Sequence, residues 1–282
     1  MTDGPEGLLL IDKVKDVTSH DVVDMVRRAL GVRKVGHAGT LDPLATGLLI
    51  LGVGRATRLL RFLSDLPKTY RGRAILGVET TTLDADGDVT HESAVTVSEA
   101  RVRDAMRAMV GPSMQTPPAF SAVKVGGRKL YEAARQGERL EAAPRPIRVD
   151  RFDLLGFDGR NADFEVTCSS GTYVRVLAAD VGERLGCGAH LSALRRLRIG
   201  PFDVAQAVAP EAPGEPQPIE RAIAHLPRVD LLAEEAIAAR HGRVLGPAGI
   251  EGPYAVFDPA NRLVGIYEDA GAKGRPKVIL AE

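Results

Sequence analysis

Cysteine is scarce in this chain, and long apolar runs are missing from it. The 282 residues include two cysteines, Cys168 and Cys187, which are too few for an all-cysteine zinc site or a disulfide scaffold, so we expect two buried thiols. The longest apolar runs, such as Leu8–Ile11, fall far below the ~18 residues that cross a bilayer, so we expect no membrane span. Asp3 and Glu6 stand where a secretory signal would be basic, which favours a cytoplasmic protein.

A net charge is also lacking. Lys plus Arg and Asp plus Glu both number 37, so the overall charge does not indicate a nucleic-acid partner. The charges are unevenly distributed along the chain. Residues 55–73 hold six basic side chains and one acidic one, and residues 121–148 hold seven basic and three acidic ones. Residues 79–104, by contrast, hold two basic and seven acidic side chains. Clustered cations of this kind suit a polyphosphate partner, and solvated helix faces are the alternative.

Common motifs for nucleoside triphosphates and metals are missing as well. Gly31 and Gly36 have the spacing of a phosphate-binding loop, but His37 follows where the lysine of that loop should stand. His91 opens a metalloprotease-like motif in which Val95 replaces the second histidine. We therefore expect neither a nucleotide triphosphatase nor a metal site.

One motif supports a rival activity. Ser121 to Lys124 matches the S-x-x-K pattern of penicillin-recognising acyl transferases. That chemistry needs the serine at the start of a helix, and Gly126-Gly127 would break such a helix at once. The partner motifs S-D-N and K-T-G are absent from the sequence, so the acyl-transferase hypothesis is weak.

Apolar periodicity and turn formers predict a mixed α and β chain. We expect one helix at Ser19–Leu30, with Thr18 or Ser19 as its cap and Gly31 at its end, and another at Tyr173–Leu185. The remaining expected elements are helices at 56–63, from Ser98, at 129–136 and at 231–240, and strands at 7–11, 70–76, 147–158, 162–169, 189–199, Val244, 254–257, 262–267 and 277–280. Residues 209–218 contain four prolines and no periodicity, which predicts a loop near a domain boundary.

The segment at residues 36–47 is unusual, and it reads GHAGTLDPLATG. Its glycines and proline favour a tight loop with projecting His and Asp side chains. Taken alone, Asp42 before a proline would be an ordinary turn former or helix cap. The whole string, however, closely resembles the catalytic loop of the TruB family of tRNA pseudouridine synthases, in which the Asp is essential.

Further segments resemble the same family in the same order. They are the first strand at 8–13 (LLLIDK), the tyrosine motif at 68–71 (KTYR), the insertion from 117 (PPAFSAVK) to 137 (YEAARQG), the arginine motif at 170–175 (SGTYVR) and the last core strand at 188–196. The resemblance implies an α+β pseudouridine-synthase fold with a mixed, mostly antiparallel central sheet flanked by helices. It implies a catalytic domain at 1–226, with a thumb-like insertion at about 117–147, and a small, mostly β PUA-like RNA-binding domain at 227–282.

The implied reaction breaks the bond from uracil N1 to C1′ and rejoins the base through C5, so it needs no cofactor. By resemblance, Asp42 is the nucleophile. Burial of a carboxylate favours its neutral form, so a fixed cation is needed nearby, and Arg175 matches the family's arginine. Tyr70 offers a ring that can stack on a base and a phenol that can shuttle a proton. Whether Asp42 attacks the sugar or the base is left open.

The implied substrate is the T-arm stem-loop of tRNA, modified at position 55 on a nucleotide turned out of its stack. By resemblance, His37 holds the everted nucleotide, Leu194 packs against its base and Tyr173 lines the uridine pocket. The remaining substrate contacts are expected from basic side chains that bind phosphates, namely Lys124 and the rest of the insertion, Arg55, Arg58, Arg61, Arg195 and Arg196. We expect a monomer with no obligatory protein partner, and the alternative function is a catalytically independent RNA-binding protein or tRNA chaperone.

Overall fold

The computed structural model describes residues 4–138 and 140–280, so Asp3 lies outside the described residues. Its strands are β1 (Gly7–Lys13), β2 (Val35–His37), β3 (Thr46–Val53), β4 (Lys68–Leu76), β5 (Val78–Thr80), β6 (Val89–Glu92), β7 (Gly111–Gln115), β8 (Lys124–Val125), β9 (Arg128–Lys129), β10 (Arg145–Phe157), β11 (Asn161–Cys168), β12 (Ala189–Ile199), β13 (Phe202–Asp203), β14 (Arg228–Asp230), β15 (Pro253–Phe257), β16 (Leu263–Asp269) and β17 (Gly274–Ile279). Its α-helices are α1 (Ser19–Leu30), α2 (Leu60–Ser64), α3 (Glu99–Arg107), α4 (Leu130–Arg135), α5 (Val174–Leu185) and α6 (Ala233–Arg240).

The main body is a nine-stranded sheet in the order β1-β3-β12-β4-β11-β10-β7, with β2 paired to β3 and β13 paired to β12. Its paired strands run antiparallel except β3 and β12, which are parallel. Helices α3 and α5 share an apolar core with β4, β10, β11 and β12, and α1 packs against β1 and β3. The predicted fold class, α+β with a mixed and mostly antiparallel sheet, is confirmed.

Helix α1 shows why the local predictions succeeded. The Thr18 hydroxyl accepts a hydrogen bond from the backbone N–H of Asp21 at 3.1 Å, and the Asp21 carboxylate accepts one from the N–H of Thr18 at 2.8 Å. Gly31 ends the helix in a left-handed conformation at φ 65°. These contacts are local in sequence, so the capping residues alone predict the bounds of the helix.

Strand β3 was not predicted, although it lies between β1 and β12 in the main sheet. Its residues are buried on both faces apart from half-buried Thr46, so they lack the alternation that marks a half-exposed strand. Short strands β2, β7 and β14 were missed too, and Val244 was wrongly predicted to be in a strand, since it is the neighbouring Leu245 that forms an isolated bridge to Gly274.

A second sheet, in the order β14-β15-β16-β17, forms near the carboxyl end with α6 packed on it. The main sheet shares an apolar core with it, which joins Leu8, Leu48 and Leu63 to Phe257 and Ile266. The proline-rich run at 209–218 is a loop that bridges back to β1, because the N–H of Leu8 donates to the carbonyl of Gln217 at 2.9 Å. The division of the chain at 226/227 stays a proposal.

The insertion at 117–147 rises between two neighbouring strands of the main sheet, β7 and β10. It carries the β8-β9 hairpin and the short helix α4. Ser121 lies in a bend and Lys124 lies exposed in β8, so the helix that the acyl-transferase motif requires is absent. None of the helices within the described ranges has both the length and the apolar character that crossing a bilayer requires.

Candidate active site

A cleft of about 580 Å³ opens where the loop between β2 and β3, the start of α5 and the base of the insertion meet. Its walls combine carboxylates, cations and aromatic rings. Its lining includes the side chains of Asp42, Lys68, Tyr70, Asp84, Asp86, Ser121, Tyr131, Tyr173, Arg175, Leu194 and Arg196. In the described part of the chain, no three His, Cys, Asp or Glu side chains cluster as a metal site would require.

Asp42 projects from a firmly anchored loop. The hydroxyl of buried Ser19 accepts from the N–H of Leu41 at 2.8 Å and donates to its carbonyl at 3.1 Å. The N–H of Ala45 closes a turn onto the carbonyl of Asp42 at 3.0 Å. Leu41 and Ala45 are buried in the core, whereas the side chain of Asp42 is 47% exposed. The loop therefore presents this carboxylate to the cleft and leaves it open to solvent, contrary to the buried site expected from the sequence.

Arg175 lies beneath Asp42 in the first turn of α5, with 7% of its side chain exposed. One terminal nitrogen is 3.5 Å from Oδ2 of Asp42 and donates to the carbonyl of Phe120 at 2.7 Å, while the other donates to Oδ2 of Asp84 at 3.2 Å. The predicted cation is thus present. Buried Asp84 and the backbone carbonyl of half-buried Phe120 hold its guanidinium in place, so Asp42 is left with oxygen lone pairs for a substrate.

Tyr70 lies in the floor of the cleft on β4, opposite Val166 of β11 and Arg196 of β12. Its side chain is buried, and burial raises the pKa of its phenol above the usual value. The hydroxyl is therefore protonated at neutral pH. The positive charge of Arg196 lowers this pKa but does not cancel the effect of burial.

The structure corrects the assignment of Arg196 to phosphate binding. This arginine is 1% exposed, so a phosphate cannot reach it. Its guanidinium donates to the carbonyls of Leu48 at 2.7 Å, Gly39 at 3.2 Å and Thr40 at 3.4 Å. Arg196 therefore stabilises, from its buried side, the loop on which Asp42 lies. Its neighbour Arg195 is half exposed and forms a two-pronged ion pair with Asp12.

Tyr173 and Leu194 also lie in the Asp42 cleft, as the sequence predicted. Tyr173 precedes α5, and its ring lies 4.7 Å from the guanidinium carbon of Arg145 and 5.7 Å from that of Arg175. The amide of Gln115 fixes the backbone of Tyr173 through two hydrogen bonds. Leu194 is partly buried on β12 and faces both this cleft and a neighbouring one.

Three predicted substrate contacts lie outside the Asp42 cleft. His37 lines a separate cleft beside it, where burial lowers the pKa of its imidazole and its buried Nδ1 has no hydrogen-bond partner among the described residues. Lys124 is exposed on the hairpin of the insertion, and Arg58 is exposed on the 3₁₀ helix Gly54–Leu59. Their suggested contacts with RNA stay predictions.

Sequence reasoning missed three groups in the cleft. Asp84 belongs to the acidic stretch at 79–104, but charge alone does not reveal that this side chain is buried against Arg175. Asp86 lies nearby, and burial, together with the charge of Asp84, raises the pKa of its carboxyl. Ser121 is 4% exposed, and its hydroxyl has no hydrogen-bond partner in the described residues. Only their burial in the folded protein assigns these residues to the cleft, although Ser121 also forms part of the acyl-transferase motif in the sequence.

Comparison with known proteins identifies the chain by its sequence. Residues 27–174 match the family model described as TruB family pseudouridylate synthase, N-terminal domain. Residues 175–212 match the tRNA pseudouridylate synthase B C-terminal domain, and residues 226–281 match the C-terminal model of tRNA pseudouridine synthase II. Together these matches extend from α1 to the last sheet.

Relatives that match nearly the whole chain indicate the same family as these models. The protein named tRNA pseudouridine synthase B in Mycobacterium sp. (strain KMS) is 44% identical to this chain, and the match covers 97% of this chain and 96% of the relative. The protein of the same name in Mycobacterium tuberculosis (strain CDC 1551 / Oshkosh) is 43% identical, and the match covers 98% of this chain and 96% of the relative. A chain in a crystal structure of a Cbf5-Nop10-Gar1 complex is 27% identical with a TM-score of 0.75, covering 97% of this chain and 84% of that one. A chain in an H/ACA RNP bound to a substrate RNA containing 2′-deoxyuridine is 26% identical with a TM-score of 0.74, covering 98% and 85%. This chain therefore belongs to the TruB family of pseudouridine synthases.

Proposed function

We propose that this protein isomerises uridine to pseudouridine at position 55 in the T-arm loop of tRNA, with Asp42 as the nucleophile on a nucleotide turned out of its stack. The proposal depends above all on one observation: a half-exposed carboxylate on a rigid loop lies 3.5 Å from a buried, firmly held guanidinium. The name tRNA pseudouridine synthase B, carried by relatives that match nearly the whole chain, supports tRNA as the substrate.

The reaction balances without an outside reactant. The bond between N1 and C1′ breaks, the uracil turns, a bond forms between C5 and C1′, the C5 proton leaves, and N1 gains a proton. Asp42 supplies the electron pair that holds the intermediate, at either C1′ or C6, and leaves again when the new bond has formed. Arg175 holds the attacking carboxylate in place through their ion pair at 3.5 Å.

Tyr70 and the base of the insertion complete the site in this scheme. A protonated phenol in the floor of the cleft can donate a hydrogen bond to the turning base and pass a proton on. Asp42 is solvent-exposed in the free protein, so the everted nucleotide itself would have to exclude water from it. Ser121 lies on the insertion side of the same cleft, and its buried hydroxyl lacks a partner among the described residues.

The test is release of tritium from C5-labelled uridine in an unmodified tRNA transcript, without added nucleotide or metal. Wild-type protein should release tritium, and Asp42→Asn should release none while binding the RNA with unchanged affinity. Asp86→Asn is the matched control, because it neutralises a carboxylate of the same cleft that makes no ion pair with Arg175 in the described residues. This control should keep most of the activity.

Two other results would change the conclusion. RNA binding without tritium release by the wild-type protein would favour the chaperone function. Equal release from a transcript with cytidine at position 55 would show that another uridine is modified.

A further inference from the structure

A second cleft, of about 680 Å³, adjoins the Asp42 cleft, and the two share Ser64 in their walls. The lining of the second cleft contains no acidic side chain among the described residues. Its ten lining residues are Arg27, Arg33, Lys34, Val35, Gly36, His37, Thr57, Leu60, Arg61 and Ser64. Five of the ten are Arg, Lys or His, in a protein with no net charge.

Three cations of the second cleft are available to a ligand. Arg33, Lys34 and Arg61 are exposed, and within residues 4–138 and 140–280 none of them forms a salt bridge or a side-chain hydrogen bond. Arg61 lies over the ring of Phe62, with its guanidinium carbon 4.9 Å from the ring centroid, which orients the charge without neutralising it.

The opposite flank of the Asp42 cleft provides an internal comparison. A third cleft, of about 320 Å³, shares Leu194 with the Asp42 cleft and is also lined by arginines. There, however, the arginines are already paired: Arg73 forms a two-pronged ion pair with Asp163, with contacts of 2.6 and 2.8 Å, and Arg195 pairs with Asp12. A cation that is already paired gains little from a phosphate, because its own carboxylate must first be displaced.

The wall of the second cleft also contains unsatisfied buried polar atoms. Nδ1 of His37 and Nε of Arg27 have no hydrogen-bond partner in the described part of the chain. The rest of the Arg27 guanidinium is held by Asp24 at 2.9 Å and by the carbonyl of Val35 at 3.0 Å. Both atoms are buried, so a ligand of this cleft would contact its exposed cations, Arg33, Lys34 and Arg61.

We propose that this second cleft binds backbone phosphates of the RNA strand that carries the target uridine. The inference rests on the proposed function for its choice of RNA, and it names the face of the protein along which the strand runs. The strand would pass from the everted nucleotide at Asp42 across Ser64 to Arg61, Arg33 and Lys34. Each neutralised phosphate would release condensed counterions, which makes the contact sensitive to salt.

The experiment measures how the Kd for an unmodified T-arm stem-loop depends on salt. We compare Arg61→Gln and Arg33→Gln with the matched control Arg73→Gln, since each substitution removes one positive charge from an exposed side chain. If each free arginine binds one phosphate, the slope of log Kd against log salt should fall by about 0.7 to 0.9 in either cleft variant. Arg73→Gln should leave the slope at its wild-type value. Melting temperatures verify that all three variants are folded.

Two results would overturn the proposal. Unchanged slopes in Arg61→Gln and Arg33→Gln would show that no phosphate binds there, and an equal fall in Arg73→Gln would show that only the overall charge of the protein matters. Tritium release by the wild-type protein is measured on the same RNA. RNA binding with the expected slopes but without release would reject the proposed catalytic function and leave the phosphate cleft standing.

Discussion

Replacing Arg196 by lysine should reduce turnover much more than RNA binding. Lysine keeps the positive charge and can reach one of the three carbonyls that Arg196 now binds, so two hydrogen bonds are lost. The contacts to Gly39 at 3.2 Å and Thr40 at 3.4 Å are the longer ones, and each is worth ~1.5 kcal/mol, near the low end for a bond to a charged group. We therefore expect the free energy of unfolding to fall by ~3 kcal/mol, which a domain of ordinary stability survives.

The effect on turnover follows from where those two carbonyls lie. Gly39 and Thr40 precede Asp42 in the same loop, and their loss of support lets the carboxylate shift. A displacement of about 1 Å in a reacting group costs ~100-fold in rate. Single-turnover tritium release at saturating RNA should show this loss, and the Kd for RNA should stay within a factor of two or so, because Arg196 is buried.

Arg198→Lys is the matched control on the same strand. Arg198 is exposed and pairs with Asp203, so its replacement should change stability by less than ~1 kcal/mol and leave turnover unaffected. Wild-type turnover in Arg196→Lys would refute the supporting role. A loss confined to RNA affinity would instead restore the phosphate-binding role that the sequence suggested.

Three further predictions follow from the site and its surroundings. Tyr70→Phe should lower turnover at least ~100-fold at unchanged RNA affinity, since it removes only the hydroxyl; full turnover by this variant would exclude the phenol from the chemistry. The urea concentration at the unfolding midpoint should be much lower for Gly47→Ala than for Gly39→Ala. A Cβ at Gly47 would lie 2.3 Å from the carbonyl oxygen of Arg196, whereas no atom lies within 4 Å of a Cβ at Gly39. Equal midpoints for the two variants would contradict this. Burial lowers the pKa of Lys68 from 10.5 to about 8. Between pH 8 and pH 10.5 the unfolded chain therefore binds more protons than the folded one, and the free energy of unfolding should rise with pH. Urea titrations at several pH values should show a smaller rise in the free energy of unfolding for Lys68→Met than for the wild-type protein. An unchanged rise would mean that another group causes it.

The resemblance of several sequence segments to the family predicts much of the site. Asp42, Tyr70, Tyr173, Arg175 and Leu194 all line one cleft, and each stands inside a segment whose sequence resembles the family. Charge could not tell which arginines face solvent. Arg196 and Arg195 are neighbours in the sequence, yet the alternation of a strand buries one and exposes the other.

The misplaced elements have a related cause. Strand β3 is apolar on both faces because it is covered on both, so periodicity could not distinguish it from other buried segments. His37, which the resemblance assigns to the everted nucleotide, lies opposite Leu51 of β3 and lines the neighbouring cleft, and its contact with RNA stays a prediction. Pairing partners distant in sequence decide such placements, and one sequence does not reveal them.

The position of Asp42 depends on the parallel pairing of β3 with β12. Gly47 lies opposite Arg196 in that pair, and its lack of a side chain lets the backbone of Arg196 come as near as 2.3 Å to where a Cβ would stand. This close approach places Arg196 under Gly39 and Thr40, where it binds both carbonyls. Arg175, by contrast, contacts the carboxylate itself at 3.5 Å and is held by Asp84. The two arginines therefore have separable roles: loss of Arg196 displaces the loop, whereas loss of Arg175 leaves the loop in place and removes the charge that faces the nucleophile.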